Sequence, residues 1–378
     1  MLQLPPLSLY IHIPWCVRKC PYCDFNSHAQ RDELPEQAYV QRLLADLEAE
    51  LAGAQGRPLS SIFIGGGTPS LFSAQAIQQL LDGVRARISL QPGCEITMEA
   101  NPGTFEQARF AGYAEAGVNR LSVGVQSLNA EHLQALGRIH NPEEALAALA
   151  CLPQLGIDNF NVDLMHGLPG QTIEQALTDL RQALALAPPH LSWYQLTIEP
   201  NTEFYSRPPR LPEDETLWDI QEQGHALLEA AGYRQYETSA YAKGRQAQHN
   251  LNYWQFGDYL GIGAGAHGKV TWLNQGRIER RWKTRMPQHY LDPARLLVAG
   301  SQEVTAEELP FEFMMNALRL VEGVPRKWFE QRTGLSLSVL STQVELGQNR
   351  QLLEMNGAVF KPTPLGRRYL NDLLELFI

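Results

Sequence analysis

Cys16, Cys20 and Cys23 stand as C-x3-C-x2-C within eight residues, a density that implies one bound centre rather than three separate thiols. Pro14 just before the array and Pro21 inside it each lack an N–H and restrain the residue ahead, so a loop rather than a regular helix presents the sulfurs. Thiolates are soft ligands, which leaves an iron–sulfur cluster, zinc or copper as candidates. A cubane cluster held by three cysteines leaves one iron open to a ligand that is not protein, and that iron is where chemistry can happen. Zinc is the rival, in a tetrahedral site completed by His12, His28 or Asp24. A surface disulfide would leave one cysteine over, in a sequence with no secretory context.

The elements around the array decide where it sits. Leu7 to Ile13 alternates and is rich in branched residues, which predicts a strand ending at the cysteine loop. A helix over Pro35 to Leu51 and a short buried strand over Ser60 to Ile64 follow, and then Gly65-Gly66-Gly67-Thr68-Pro69, where missing side chains let backbone approach a ligand. Further strands are expected at Glu95–Glu99, Arg120–Val125, Asn159–Met165 and Leu191–Leu196. Helices are expected from Thr104, with a capping box through Gln107, and over Thr172–Leu184. This alternation predicts an α/β protein, a parallel sheet closed into a partial (β/α)6-type barrel, with a doubly wound open sheet as the alternative. Strand C-terminal ends are where such folds gather ligand residues, and here they carry Glu99, Gln126 and Asp163. Taken singly, each also reads as a polar cap.

After Leu196 the rhythm breaks at Pro200, Pro208, Pro209 and Pro212, and an amphipathic helix over Asp214–Ala231 follows. Three regions are expected: residues 1–200 with the cysteine loop, 201–305 completing the barrel, and 306–378 as a smaller, mostly helical C-terminal domain. That last region reads either as winged-helix-like or as a helical cap, with helices near Phe311–Val321, Leu337–Leu346 and Gly366–Phe377. Gly261 to His267 is glycine-rich but lacks the spacing of a dinucleotide fingerprint. Arg277, Arg280, Arg281, Lys283 and Arg285 form a basic run beside Trp272 and Trp282, either a solvated face or an anion site.

The 378 residues carry a net charge of −10, which argues against a general nucleic-acid binder. Five cysteines with three clustered suit metal chemistry in a reducing compartment, Cys94 and Cys151 reading as small buried residues. Met1 to Pro6 has no basic region leading into an apolar stretch, and no run approaches the ~20 apolar residues of a membrane span, so a cytoplasmic location is expected.

Tyr10-Ile11-His12-Ile13-Pro14-Trp15-Cys16, the cysteine triplet and the Gly65–Pro69 run together resemble the radical S-adenosylmethionine (SAM) superfamily. Within it they resemble the branch that contains oxygen-independent coproporphyrinogen III oxidase. The resemblance implies that Cys16, Cys20 and Cys23 ligate a [4Fe-4S] cluster whose open iron chelates SAM. It matches Tyr10, Tyr22, Gly66, Gly67, Thr68 and Glu99 to SAM-contacting positions, and Gln126, Arg138 and Asp163 to positions contacting SAM or a second SAM. The residue types suit those roles: Tyr22 offers a face for adenine, the glycine loop lets backbone groups bond the methionine end, and Glu99 and Asp163 can bond ribose or amino groups. Two departures separate this sequence from the oxidase. Phe25 stands where the oxidase motif has a further cysteine, and the sequence starts fifteen residues before Cys16, without the bacterial oxidase's longer N-terminal segment.

His249-Asn250-Leu251-Asn252-Tyr253-Trp254 is similar to the H-N-x-x-Y-W motif of the HemW family of haem chaperones. The resemblance implies haem as a further cofactor, with His249 offering an imidazole to the iron beside an aromatic wall; the other reading is a histidine bonded within the core. It further implies acceptor haemoproteins as partners, membrane-associated respiratory enzymes among them, with homodimerisation left open and no nucleic acid. The expected function is a haem carrier rather than a catalyst. The enzyme alternative is anaerobic coproporphyrinogen III oxidase, and a structural zinc protein is the third class.

Overall fold

Alternating apolar residues make Leu7–Ile13 the first strand, β1: Leu7, Leu9, Ile11 and Ile13 are all fully buried in the main core, while Ser8, Tyr10 and His12 face the other way. The structure is a computed structural model that describes residues 1–356 and 358–378, leaving aside the side chains of residues 104–107, 355 and 356. The strands β2 (Leu59–Gly66), β3 (Leu90–Ala100), β4 (Arg120–Gln126), β5 (Phe160–His166) and β6 (His190–Gln195) follow, each pairing in parallel with the one before. Parallel neighbours need crossovers, and helices at Glu36–Ala54, Ala74–Arg85, Thr104–Ala116, Pro142–Cys151 and Ile173–Ala185 provide them. Capping boxes at Asn141/Glu144 and Thr172/Gln175 start the last two. The capping box expected at Gln107 lies outside the described residues.

The sheet extends on both sides. β7 (Arg234–Glu237) and β8 (Ala240–Ala242) add antiparallel strands beyond β6, and β9 (Asp258–Ile262) pairs in parallel with β1. The antiparallel strands β10 (His267–Trp272), β11 (Arg277–Lys283) and β12 (Val298–Glu303) then complete the order β12-β11-β10-β9-β1-β2-β3-β4-β5-β6-β8-β7. Residues from β2 to β6 line one cavity, so this part of the sheet curls into the partial barrel that the β/α rhythm predicts. The rhythm itself outlasts the proline-rich stretch. The helix Asp214–Ala230 packs against Ile173–Ala185 and supplies the cover for β6.

Residues beyond Glu303 have a second core around Phe313, Phe329, Leu340 and Phe360. Helices at Leu309–Ala317, Lys327–Thr333 and Ser341–Asn349 surround a three-stranded sheet of Val324–Pro325, Val359–Pro362 and Leu353–Asn356. The single terminal helix expected over Gly366–Phe377 is instead broken into Pro364–Arg368, Leu370–Leu374 and a short turn of 3-10 helix, because Tyr369 leaves helical geometry at φ −111° and ψ 51°.

The basic run on β11 is neither a solvated face nor an open anion site. Lys283, fully buried, reaches Asp46 and Glu50 at 2.6 Å each; Arg281 pairs with Glu50 and Glu279; Arg277 pairs with Glu279, and Arg280 with Glu312. The Lys283 and Arg281 pairs bind the antiparallel extension to the first helix, the Arg280 pair binds it to the helix Leu309–Ala317, and Glu279 on β11 itself offsets Arg277.

Candidate functional site

The cysteine loop leaves β1 at Pro14, and its first residues, Trp15 and Cys16, pair in parallel with His28 and Ala29 to close it. His12 anchors the loop from below: its Nδ1 meets the Tyr10 hydroxyl at 2.7 Å and its Nε2 meets the Asn26 carbonyl at 3.0 Å. Burial lowers its pKa to about 4, so the ring is neutral, and with both nitrogens committed it is not a fourth ligand for a metal on the cysteines. The glycine-rich stretch after β9 braces the loop from behind. Gly263, at φ +104°, packs so closely on His12 that a Cβ would stand 2.3 Å from the His12 carbonyl oxygen, and the Asn26 amide donates to the Ala264 and Arg285 carbonyls at 2.9 Å.

The three cysteines open onto the barrel's interior, a cavity of about 410 Å³. Tyr22, Gly66, Gly67, Thr68, Glu99, Gln126, Arg138, Asp163 and His249 line the same cavity, so the structure brings together residues spread from 16 to 249. Tyr10 is the exception among the expected residues. Its ring stacks on Phe63 and its hydroxyl is held by His12, which places it behind the wall rather than on it.

The glycine loop commits three of its backbone N–H groups within the protein. The Gly66 N–H donates to Glu99 Oε2 at 3.0 Å, that of Gly67 to the Ile13 carbonyl at 2.8 Å, and that of Thr68 to the Trp15 carbonyl at 2.7 Å. The last two hold the start of the cysteine loop and the first ties the glycine loop to β3, so what remains for a ligand is the carbonyl side of the loop.

Arg138 donates to Asn101 Oδ1 at 2.7 Å and the Gly124 carbonyl at 2.6 Å, and approaches Cys20 Sγ at 3.8 Å, a cation placed to offset thiolate charge. Gln126 ends β4 at φ +70°, a strained conformation for a side chain with a Cβ, and its Oε1 accepts from the Tyr194 hydroxyl at 2.9 Å. Asp163 accepts from Ser122 at 3.0 Å and Asn161 at 2.7 Å, and burial pushes its pKa up.

Burial and the neighbouring Asp163 raise the Glu99 carboxyl from 4.5 to about 7. An acid that holds its proton more tightly folded than unfolded costs stability as the pH climbs from about 4.5 through 7. Glu99→Gln is therefore expected to stabilise the ligand-free protein by ~2 kcal/mol at pH 8 and by much less at pH 5. Urea titrations at the two pH values measure this, and equal gains at both would sink the assignment.

Deeper in the barrel the H-N-x-x-Y-W stretch forms the helix Gln248–Trp254. His249 is 5% exposed, lies flat on Phe63 with centroids 4.3 Å apart, and bonds Glu95 through Nδ1 at 3.0 Å. Burial opposes the Glu95 charge, but His249, Arg120 and the Gln248 N–H outweigh it and bring that carboxyl to about 2. Burial in turn lowers the His249 pKa against the pull of Glu95; because the carboxylate can only accept, Nδ1–H is the donor and Nε2 is the nitrogen left over. Tyr253 stands edge-on to the His249 ring with centroids 6.3 Å apart and also meets Tyr259 at 4.9 Å, while Trp254 packs against Arg319.

The cavity wall also contains Arg120, Ser122, Asn161, His190, Ser192 and Tyr194, which sequence reasoning missed. The signal was present in β4, where Arg120, Ser122, Gly124 and Gln126 alternate with buried Leu121, Val123 and Val125 and so share one face.

The profile of the radical SAM superfamily matches residues 10–183, and that of the HemN C-terminal domain matches residues 304–369. The chain is 59% identical to "Heme chaperone HemW" of Escherichia coli strain K12 and 56% identical to that of Haemophilus influenzae. These matches cover 100% of this chain and 100% and 99% of those two. It is also 36% identical to the bovine mitochondrial "Radical S-adenosyl methionine domain-containing protein 1", over 86% of this chain and 75% of that one. Among solved structures, coproporphyrinogen III oxidase (HemN) from Escherichia coli superimposes with a TM-score of 0.83 over 99% of this chain and 90% of that one. At 22% identity this shows a shared fold. Near-full-length identity above half, joined to a cysteine loop and glycine loop clamped over one barrel cavity, makes this chain a member of the HemW family within the radical SAM superfamily.

Proposed function

We propose that this protein is a haem chaperone, which binds haem together with a SAM-liganded [4Fe-4S] cluster and passes haem to acceptor haemoproteins. One observation carries the reading: His249 lines the cavity that the three cysteines share, with Nδ1 held by Glu95 and no hydrogen bond to its Nε2 from any described residue. Its Nδ1–H is held by a carboxylate, which is how metal-ligating histidines are usually oriented. The near-full-length relatives named as haem chaperones support the same function.

The cysteine loop suits a cluster. Three sulfurs face one cavity, Arg138 sits beside Cys20, and His12 is unavailable for a tetrahedral zinc site. Cys16, Cys20 and Cys23 would hold it, and cluster and SAM together supply one-electron chemistry when bound. The glycine loop's carbonyl side offers acceptors to the SAM amino group, Glu99 and Asp163 offer carboxylates to amino or ribose groups, and Tyr22 offers its face to adenine. Thr68, Gln126 and Arg138 complete the wall, and Tyr10 acts through Phe63 and His12. Residues 1–200 would carry this site, 201–305 close it through His249, and 306–378 brace the sheet. No described helix is long and apolar enough to cross a membrane. A cytoplasmic carrier meeting its acceptors at a membrane surface fits that reading.

The test is anaerobic cluster reconstitution followed by haem titration. Saturable binding is expected, with no protoporphyrinogen formed from coproporphyrinogen when SAM and an electron donor are supplied. His249→Ala should shift or remove the Soret band, and His267→Ala, an exposed histidine on β10, should leave it. SAM-dependent decarboxylation, or haem affinity no better than that of an unrelated protein, would end the chaperone reading. A silent His249→Ala would end only the ligand assignment.

A further inference from the structure

We propose that the floor of the barrel cavity is a carboxylate site, with Arg120 as the cation that receives the group. Arg120 is 2% exposed, lies on the cavity wall, and makes no hydrogen bond or ion pair to any described residue. Its five N–H donors therefore have no acceptor among the described residues.

The acids nearest to it are committed elsewhere. Glu95 accepts from the Gln248 N–H at 3.0 and 3.1 Å, from the His249 N–H at 3.3 Å, from His249 Nδ1 at 3.0 Å and from the Thr97 hydroxyl at 3.2 Å. Asp163 is held by Ser122 and Asn161. His190 is spent as well, on Asn161 at 2.7 Å and the Tyr236 hydroxyl at 2.8 Å. Against burial, the charge of Arg120 works to lower the pKa of both Glu95 and Asp163, yet neither carboxylate bonds it, and the guanidinium keeps its hydrogen-bonding capacity. A planar fork of donors matches a carboxylate in two parallel hydrogen bonds, and in a water-poor pocket such bonds are at their strongest.

Haem, the ligand of the function proposed above on which this inference rests, carries that group in its propionates. It has a carboxylate-free counterpart, haem dimethyl ester. The experiment titrates both into the anaerobically reconstituted protein, as the parent, Arg120→Gln and Arg120→Lys. Soret absorbance reads binding, with melting curves and cluster absorbance as controls for folding. The parent should prefer haem over its dimethyl ester by roughly tenfold or more. Arg120→Gln should erase that preference and Arg120→Lys retain part of it. A parent that binds the two forms equally, or a preference that survives in Arg120→Gln, overturns the site alone and leaves the chaperone reading standing. A parent that binds neither form overturns both. If Arg120→Gln does not fold, the parent's preference and the Arg120→Lys titration decide it.

Discussion

Alanine in place of Cys16, Cys20 or Cys23 is expected to abolish the [4Fe-4S] chromophore of the anaerobically reconstituted protein, whereas Cys94→Ala and Cys151→Ala leave it at parent strength. The physical ground is placement. The first three sulfurs open onto one cavity inside a loop pinned by Trp15–His28 pairing and by the His12–Asn26 bond. Cys94 is buried in the main core near the Glu95 carbonyl, and Cys151 sits against the Ala148 carbonyl of its own helix. Neither can reach the loop without unfolding the barrel. Iron and sulfide analysis alongside the visible spectrum checks the result, and an undiminished content in Cys20→Ala would rule out the ligand set.

The second large effect is expected at Gly66. A side chain there meets two obstacles at once: the residue has φ +116°, and a Cβ would stand 2.5 Å from the His12 ring. The space is taken by the protein itself rather than by a ligand. Positive φ costs about 1–2 kcal/mol for a residue with a Cβ. Displacing His12 breaks the two bonds that anchor the cysteine loop, so Gly66→Ala should cost about 3 kcal/mol or more and lower cluster content together with stability. Gly56→Ala is the control, since Gly56 has φ +79° with nothing within 4 Å of its would-be Cβ. Urea denaturation of the two variants separates strain from displacement. If Gly66→Ala costs no more than Gly56→Ala, the His12 anchor contributes nothing.

Much of the chemistry lay in the linear sequence, because a loop that holds a metal centre draws its ligands from one short stretch. Cys16, Cys20 and Cys23 could be proposed as one ligand set from their spacing alone, and the β/α rhythm predicted the sheet because helical and strand periodicities are local properties. Glu99, Gln126 and Asp163 were legible by the rule that strand C-terminal ends gather ligands in such folds. Tertiary structure decided everything that depends on which residue stands opposite which. The basic run of β11 gained its meaning from acids more than two hundred residues away on the first helix, and the glycine loop's donors proved to be spent on Glu99, Ile13 and Trp15. Tyr10 left the cavity wall because Phe63 of the neighbouring strand stands against it. Arg120 showed the converse: in the sequence it only opens a strand, and closure of the barrel made it a buried cation on the cavity wall, without a hydrogen bond or ion pair to any described residue. Spacing along the chain fixes which atoms can share a centre, whereas burial and pairing between distant strands fix which charges remain unspent, and those quantities come into existence only when the sheet curls.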